Sequence, residues 1–203
     1  EVKIDGMLHS TIRSTEFTIE NLKPETEYDI QVRAVNKDGA SEWTTLKGRT
    51  IKDPLDEAIR DITATNSTPD WEGLEVAKMF DFNEKNYWHT DYYKKEGVLP
   101  FDMTMNLHGI AKLDRIQYLP SSERDSHGQI YKGRIATSFD GSNWTENGTF
   151  EWNKDGGVKE YKFKGEPEAQ YVKMTVEETK GGQASGTELY VFKTPGSKMK
   201  KPG

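Results

Sequence analysis

Hydrophobic and polar residues alternate along much of the chain, with the two-residue period that is typical of β-strands. The clearest case is residues 101–107, where Phe, Met, Met and Leu alternate with Asp, Thr and Asn. The same period occurs at Phe17 and Ile19, and again over residues 28–34. Because no segment keeps a helical period over three turns, the pattern predicts an all-β fold.

Turn-forming residues separate the alternating segments. The stretch NKDG at 36–39 predicts a turn between two strands, and Asp140-Gly141 ends the strand in GRIATSFDGSNW as a hairpin turn. Further strands are predicted in IAKLDRIQYLP, KEYKFKG, AQYVKMTVEET and GTELYVFK. Short strands with a turn every ten residues or so indicate β-sandwiches.

Composition narrows the class of protein. The 203 residues carry a net charge of −6, and their 11% aromatic content can supply a core although only 33% are hydrophobic. No stretch approaches the length of a transmembrane helix, so membrane insertion is not expected. The chain has no cysteine, which excludes disulfides and thiolate metal sites. The acidity is spread evenly, which argues against a nucleic-acid partner.

The first fifty residues form one unit of the predicted organisation. Leu22, Pro24, Thr26 and Tyr28 make an L-x-P-x-T-x-Y pattern, in which the tyrosine bonds back to upstream backbone as a tyrosine corner. Residues 1–50 resemble the C-terminal part of a fibronectin type III domain. Such domains have about 100 residues, so we expect a partial sandwich with an exposed core face and exposed edges, cut from a longer protein.

Residues 51–60, with Pro54, are predicted as a linker, residues 61–195 as a second domain and residues 196–203 as a tail. Six fragments of the second domain follow one another in the order found in discoidin domains: MFDFNEKNYWHTDY, LPFDMTMNL, LDRIQYLP, TSFDGSNW, QYVKMTV and GTELYVF. This family is also called coagulation factor 5/8 type C and includes the family-32 carbohydrate-binding modules. The resemblance implies an eight-stranded jelly-roll sandwich.

Oxygen-bearing side chains crowd the stretch KMFDFNEKNYWHT. Asp81, Asn83 and Asn86 lie within six positions, and hard cations such as calcium take carboxylate, amide and carbonyl oxygens. The stretch is not an EF-hand loop, because Asn86 and Tyr92 stand where that loop has glycine and glutamate. The alternative is that these are turn residues bonding their own backbone.

The resemblance implies a structural Ca²⁺ in this loop. Its implied ligands are Lys78, Asp81, Asn83, Asn86, Thr187 and Glu188. Asp81 and Glu188 would supply carboxylates, Lys78 and Thr187 backbone carbonyls, and the two asparagines side-chain or backbone oxygens. Trp88 is then expected to pack into the sandwich core and anchor the loop.

Sugar binding needs an aromatic face for the pyranose ring and polar groups for its hydroxyls. The resemblance implies a site on three loops at one end of the sandwich, which offer Trp71, Glu72, His89, Tyr92, Arg124 and His127. Trp71 could equally be a core residue. Galactose-binding relatives usually carry arginine directly after the YLP strand end, where this chain has Ser121 and the nearest guanidinium is Arg124.

Catalytic patterns are missing from the sequence. It has no GxSxG, no HExxH and no cysteine, and its four histidines lack metal-ligand spacing. The domain order resembles the tail of bacterial glycoside hydrolases, including family 31. Two hypotheses follow for a secreted, periplasmic or cell-surface bacterial protein: a non-catalytic module that binds a glycan weakly, or a structural module that packs against the parent enzyme's catalytic domain and has no glycan ligand.

Overall fold

The computed structural model describes residues 1–94 and 98–202. These residues fall into two compact units, Glu1–Asp56 and Glu57–Gly203. The prediction of an all-β fold is confirmed, because regular structure apart from strands is limited to three short 3₁₀ turns in the described residues. No helix of the described residues has the length and apolarity that crossing a membrane requires.

The first unit contains one antiparallel sheet of four strands in the order β2-β1-β3-β6, and a small hairpin formed by β4 and β5. Its strands are β1 (Val2–Ile4), β2 (Met7–Ser10), β3 (Glu27–Val32), β4 (Val35–Asn36), β5 (Gly39–Ala40) and β6 (Thr44–Arg49).

One face of this sheet is apolar and partly uncovered. Ile4 pairs with Met7 and with Ile30, which pairs in turn with Leu46, so the four side chains form one cross-strand row. Met7 is 75% exposed and Leu46 is 66% exposed. A sandwich core would need a second full sheet against this face, and beyond the four-stranded sheet the described residues 1–56 form only the short β4–β5 hairpin.

Local predictions in this unit had mixed outcomes. The tyrosine corner is confirmed, since the Lys23 N–H donates to the Tyr28 hydroxyl oxygen at 2.9 Å. The turn at 36–39 is also confirmed, because the Asn36 side-chain oxygen accepts from two following backbone N–H groups. The strand expected at Phe17 and Ile19 is wrong: that segment pairs with no described strand, and alternation without a pairing partner does not make a strand.

The second unit is a jelly-roll β-sandwich. Its strands are β7 (Thr63–Asn66), β8 (Trp88–His89), β9 (Phe101–Leu119), β10 (Ile130–Ser138), β11 (Thr145–Glu151), β12 (Lys159–Lys162), β13 (Glu168–Thr179), β14 (Ser185–Gly186) and β15 (Glu188–Lys193). The 3₁₀ turns are Val76–Met79, Glu123–Ser126 and Lys180–Gly182.

The long strand β9 belongs to both layers of the sandwich. Its first part pairs with β7 and β13, and its second part pairs with β12 and β15. His108 has a left-handed φ of 56° where the strand bends between the two layers. Seven strands are hydrogen-bonded together in the sandwich, against the eight that were expected. The difference arises because the strands predicted at residues 101–107 and in IAKLDRIQYLP form the single bent strand β9.

The core lies between the layers and is rich in methionine and aromatic residues. The alternation predicted over residues 101–107 is confirmed, with every second side chain fully buried. The hairpin turn predicted at Asp140-Gly141 is confirmed, because β10 and β11 pair as antiparallel neighbours on either side of it. The residues of β11 alone gave no strand signal, because only Phe150 of its seven residues is buried and its polar sequence shows no period. In the tail, Lys200 pairs with Ile110 through two backbone hydrogen bonds of 2.8 Å.

Candidate functional site

A pocket of about 470 Å³ opens where three loops meet in the second unit. It is lined by Tyr92, Tyr93, Arg124, His127 and Gln183. The tyrosines follow β8, Arg124 and His127 follow β9, and Gln183 precedes β14, so residues far apart in sequence form one site.

Tyr92 is the centre of an aromatic cluster. The His89 ring stacks on it with centroids 3.8 Å apart, and the Trp71 ring meets it edge-on at 5.0 Å. The Arg124 guanidinium carbon lies 4.2 Å from the Tyr92 ring centroid, within cation–π distance. Burial, together with the Tyr87 hydroxyl, raises the pKa of Tyr92 to about 12, so the phenol is neutral at physiological pH.

Two histidines of this cluster, His89 and His127, lie side by side. Their rings are nearly parallel, at 9°, and His89 Nε2 is 3.3 Å from His127 Nδ1. His89 Nδ1 lies 2.6 Å from the Thr90 carbonyl oxygen, which can only accept, so Nδ1 carries a proton. In neutral His89, Nε2 then accepts and His127 Nδ1 donates. Burial lowers the pKa of His89, and the nearby His127 and Arg124 lower it further against the effect of the Thr90 carbonyl.

Hydrogen bonds to backbone groups connect the loops. The Thr90 N–H donates to the Ala184 carbonyl at 2.8 Å, and the Thr90 hydroxyl accepts from the Ala184 N–H at 3.0 Å. The buried Gln183 side-chain N–H donates to the Asp91 carbonyl at 2.8 Å. The Ser185 hydroxyl donates to the His127 carbonyl at 2.6 Å. These bonds fix the pocket before any ligand arrives, which lowers the ordering cost of binding.

Gly181 leaves room for the His127 ring. It has a φ of +85°, and a Cβ placed on it would lie 2.5 Å from His127 Nε2. A side chain at this position would strain the backbone and displace the imidazole. The Gly-Gly turn in KGGQAS is therefore part of the site.

Of the six residues predicted for sugar binding, the structure brings five together: Trp71, His89, Tyr92, Arg124 and His127. Glu72 is exposed and does not line the pocket among the described residues. Ser121 is buried, and its hydroxyl accepts from the Glu123 N–H at 3.2 Å, so this position shapes the turn and is absent from the pocket lining.

Sequence reasoning missed three residues of the site. Tyr93 lines the pocket, and the only sequence signal for it was its position directly after Tyr92 in the DYY triplet. Gln183 had no signal beyond the adjacent glycines. Asp70 positions the loop before the site: its carboxylate accepts from Trp88 Nε1 at 2.7 Å and from the Val76 N–H at 2.9 Å. Trp88 is fully buried, which confirms its predicted place in the core.

A second cluster of polar groups surrounds Glu188 at the start of β15. The side chain is fully buried, and its Oε1 accepts from the Asn83 N–H at 2.8 Å. Asp81 accepts from the same N–H at 3.0 Å and from the Asn86 side-chain N–H at 2.8 Å. The predicted ligand residues of the loop and of the last strand therefore meet.

Two buried acceptors in this cluster have no hydrogen-bond partner. They are Glu188 Oε2 and Asn86 Oδ1, and buried acceptors without partners are costly. Burial raises the pKa of Glu188 to about 8, and the Asp81 carboxylate also raises it, while the Asn83 N–H opposes them. A bound cation would remove both deficits, so these residues fit a hard metal ion.

The donor set is rich in oxygen but poor in charge. No group of three His, Asp or Glu side chains suited to a metal occurs in residues 1–94 and 98–202, so a cation here would rely on two carboxylates with amide and carbonyl oxygens. The alternative for the loop also has support. Asp81 and Asn83 each accept from a backbone N–H two residues ahead, as in Asx turns.

Comparison with solved structures identifies the class of the second unit: its fold is that of a carbohydrate-binding module of family 32. A module from Clostridium perfringens, CpGH89CBM32-5 in complex with GalNAc-β-1,3-galactose, is 31% identical, with a TM-score of 0.60, and the match covers 66% of this chain and 99% of the module. The family 32 module of C. perfringens NanJ, in complex with galactose, is 26% identical, with a TM-score of 0.62 over 68% of this chain and 98% of that one.

The chain belongs to the F5/8 type C domain family, whose sequence profile matches residues 61–189. The fibronectin type III profile matches residues 2–46. A galactose oxidase of Gibberella zeae is 27% identical over 136 residues, a match that covers 64% of this chain. The match spans only 20% of that oxidase.

Proposed function

We propose that the second unit is a non-catalytic glycan-binding module, and that Tyr92, with Arg124 and His127, forms its binding site. The aromatic cluster at the pocket is the observation that carries the proposal. His89 and Arg124 cover the two faces of Tyr92. The neighbouring Tyr93 ring is 86% exposed, lines the pocket and packs on Trp71, so it offers the aromatic face beside donor groups that a pyranose ring needs. The names of two similar modules include galactose-containing ligands, which supports a sugar of this class.

Affinity is expected to be weak. Tyr93 and Arg124 offer one stacking surface and a few donors that compete with water, which leaves little surplus after the cost of association. Such a module would act by tethering an attached enzyme to a polymer and so raising its effective concentration there. The proposed parent protein is a secreted bacterial glycoside hydrolase, of which family 31 is one candidate.

Titration with galactose and GalNAc-β-1,3-galactose, followed through backbone amide shifts, tests this function. We expect shifts at Tyr92 and His127, and Tyr92→Ala should weaken binding at least tenfold, about 1.4 kcal/mol. Phe139→Ala is the matched control, because Phe139 is 60% exposed and follows the nine-residue strand β10, whose other end adjoins the pocket. Shifts confined to the Phe139 end would contradict the proposed site.

A structural module without a glycan ligand is the second candidate function. It is favoured by Ser121, which is buried in a turn where galactose-binding relatives usually carry arginine. The module would then pack against the catalytic domain of its parent enzyme. A glycan array on the second unit separates the two, since this candidate requires that no glycan bind.

We also propose that the Glu188 cluster holds a structural calcium ion. Asp81, Asn86 and Glu188 would hold it with side-chain oxygens, and Lys78, Asn83 and Thr187 would contribute carbonyl or amide oxygens. Bound calcium would supply the positive charge that two adjacent carboxylates lack. Its role is structural, because it would join the loop to β15. Calorimetric titration of the chelator-treated protein with calcium tests this, and absence of binding would contradict it.

A further inference from the structure

We propose that the pocket prefers glycans with an anionic substituent, a sugar carboxylate or a sulfate ester, which binds Arg124. This inference rests on the proposed glycan-binding function and specifies the class of its ligand. It follows from the surroundings of the guanidinium, the backbone that carries it and the chemistry of the pocket lining.

The Arg124 guanidinium lies on the Tyr92 ring without a carboxylate partner. No carboxylate of residues 1–94 or 98–202 lies within ion-pair distance of it, although Glu123 and Asp125 are its neighbours in the chain. By contrast, Arg134 pairs with Glu177 at 2.8 Å. A guanidinium stacked on an aromatic face keeps its in-plane N–H donors available, and their fork geometry matches carboxylate and sulfate oxygens.

The backbone carrying this side chain is strained. Arg124, Asp125 and Ser126 have φ values of 47°, 56° and 58°, three consecutive non-glycine residues in the left-handed region. Hydrogen bonds hold the turn: the Arg124 carbonyl accepts from the His127 N–H and the Ser126 carbonyl from the Gln129 N–H, both at 3.1 Å, and the Lys180 ammonium donates to the Asp125 carbonyl. Strain of this kind concentrates at ligand-binding positions. Here the strained turn carries Arg124, which stacks on Tyr92 and lines the pocket.

The lining carries one permanent cation, Arg124, and none of its described residues is a carboxylate. The guanidinium has five N–H donors and no acceptor. A ligand that supplies several acceptor oxygens and a negative charge at one position complements Arg124 better than a neutral hydroxyl does.

Arg124 is exposed, so the preference should be modest. Ion pairs at exposed positions stabilise weakly and are screened by salt. We expect galacturonate and galactose 6-sulfate to bind about twofold to fivefold more tightly than galactose at low salt. The ratio of the dissociation constant for galactose to that for each charged sugar should fall towards one as sodium chloride is raised to about 1 M.

The test is calorimetry or amide-shift titration of the whole chain with these three sugars. In Arg124→Gln the ratio of the dissociation constants should fall to about one, and in Arg124→Lys it should be partly retained. Arg134→Gln, which removes an exposed arginine on β10, should leave the ratio unchanged. A preference for only one of the charged sugars would identify carboxylate or sulfate as the recognised group.

Three outcomes overturn the inference in distinguishable ways. If all three sugars bind at Tyr92 with equal affinity, the anionic preference is wrong and the glycan-binding function stands. If Arg124→Gln keeps the preference, the assignment of the anion to Arg124 is wrong and the glycan-binding function again stands. If none of the sugars and no member of a glycan array binds, the proposed function itself fails.

Discussion

The two polar clusters in the second unit, around Tyr92 and around Glu188, differ in whether their buried polar groups have hydrogen-bond partners. Around Tyr92, side chains stack on one another and the loop backbones are hydrogen-bonded, so the pocket is stable without a ligand. Around Glu188, two buried acceptors have no partner, and the raised pKa of about 8 keeps the Glu188 carboxyl group protonated at lower pH. The Glu188 cluster thus has unsatisfied acceptors that a bound cation would satisfy, whereas the pocket around Tyr92 has its internal contacts in place without a ligand.

The largest effect is expected at the Glu188 cluster. Removing calcium with a chelator should lower the free energy of unfolding by about 3–4 kcal/mol, the stabilisation from a ligand present at 100 to 1,000 times its Kd. Asp81→Ala should cost more than Asn83→Ala, because it removes a charge from the proposed site. Thermal unfolding with and without chelator measures both. An unchanged midpoint would contradict the calcium proposal and weaken the contrast between the two clusters.

The pH dependence of stability in chelator sharpens the same contrast. The pKa of Glu188 is raised above its usual value of 4.5 to about 8, so the folded state binds a proton that the unfolded state releases. This contribution to stability is complete below about pH 4.5 and is lost as the pH rises to about 8. Urea unfolding across this range should show the decline.

Glu188→Gln is the matched variant for the pH experiment. In chelator at about pH 8 it should be more stable than the unsubstituted protein, because it removes the cost of burying a charge. In calcium the order should reverse, since the variant lacks a charged ligand. If the two proteins keep the same order in both conditions, Glu188 does not hold the ion.

The sequence predicted the fold better than it predicted the sites. Alternation over residues 101–107 was enough to locate a core strand, because burial of every second side chain is a local pattern. The polar strand β11 left no such pattern, and Phe17 and Ile19 showed one without forming a strand.

The pocket depends on contacts that no local pattern reports. His127 meets His89 across 38 residues, and Gln183 reaches Asp91 across 92. The resemblance to known modules placed the loops at one end of the sandwich, but it did not indicate which side chains turn inward. Gln183 was missed for that reason, and Glu72 was included although it is absent from the described pocket lining. Exposure and burial in loops are set by tertiary packing, not by sequence period.

A smaller effect is expected at the glycine beside the pocket. Gly181→Ala forces a residue with a Cβ into a left-handed position and against His127, which should cost about 1–2 kcal/mol of stability and weaken glycan binding. Gly156→Ala is the control, because a Cβ there meets nothing within 4 Å. Unfolding and sugar titration are both needed, and loss of stability without loss of binding would show that the His127 position does not matter to the ligand.

The smallest effect is expected at Glu72, which tests the pocket boundary. Glu72→Ala should change the dissociation constant for galactose less than about twofold, because Glu72 is exposed and does not line the pocket. Gln183→Ala should weaken binding by more, since it breaks the hydrogen bond to the Asp91 carbonyl that holds the Tyr92 loop against the β14 side of the site. Amide-shift titration of both variants measures the difference. If Glu72→Ala proved the more damaging, the ligand would lie nearer the Trp71 loop than the pocket geometry indicates, and the contrast between a preformed pocket and an incomplete ion site would have to be redrawn around that loop.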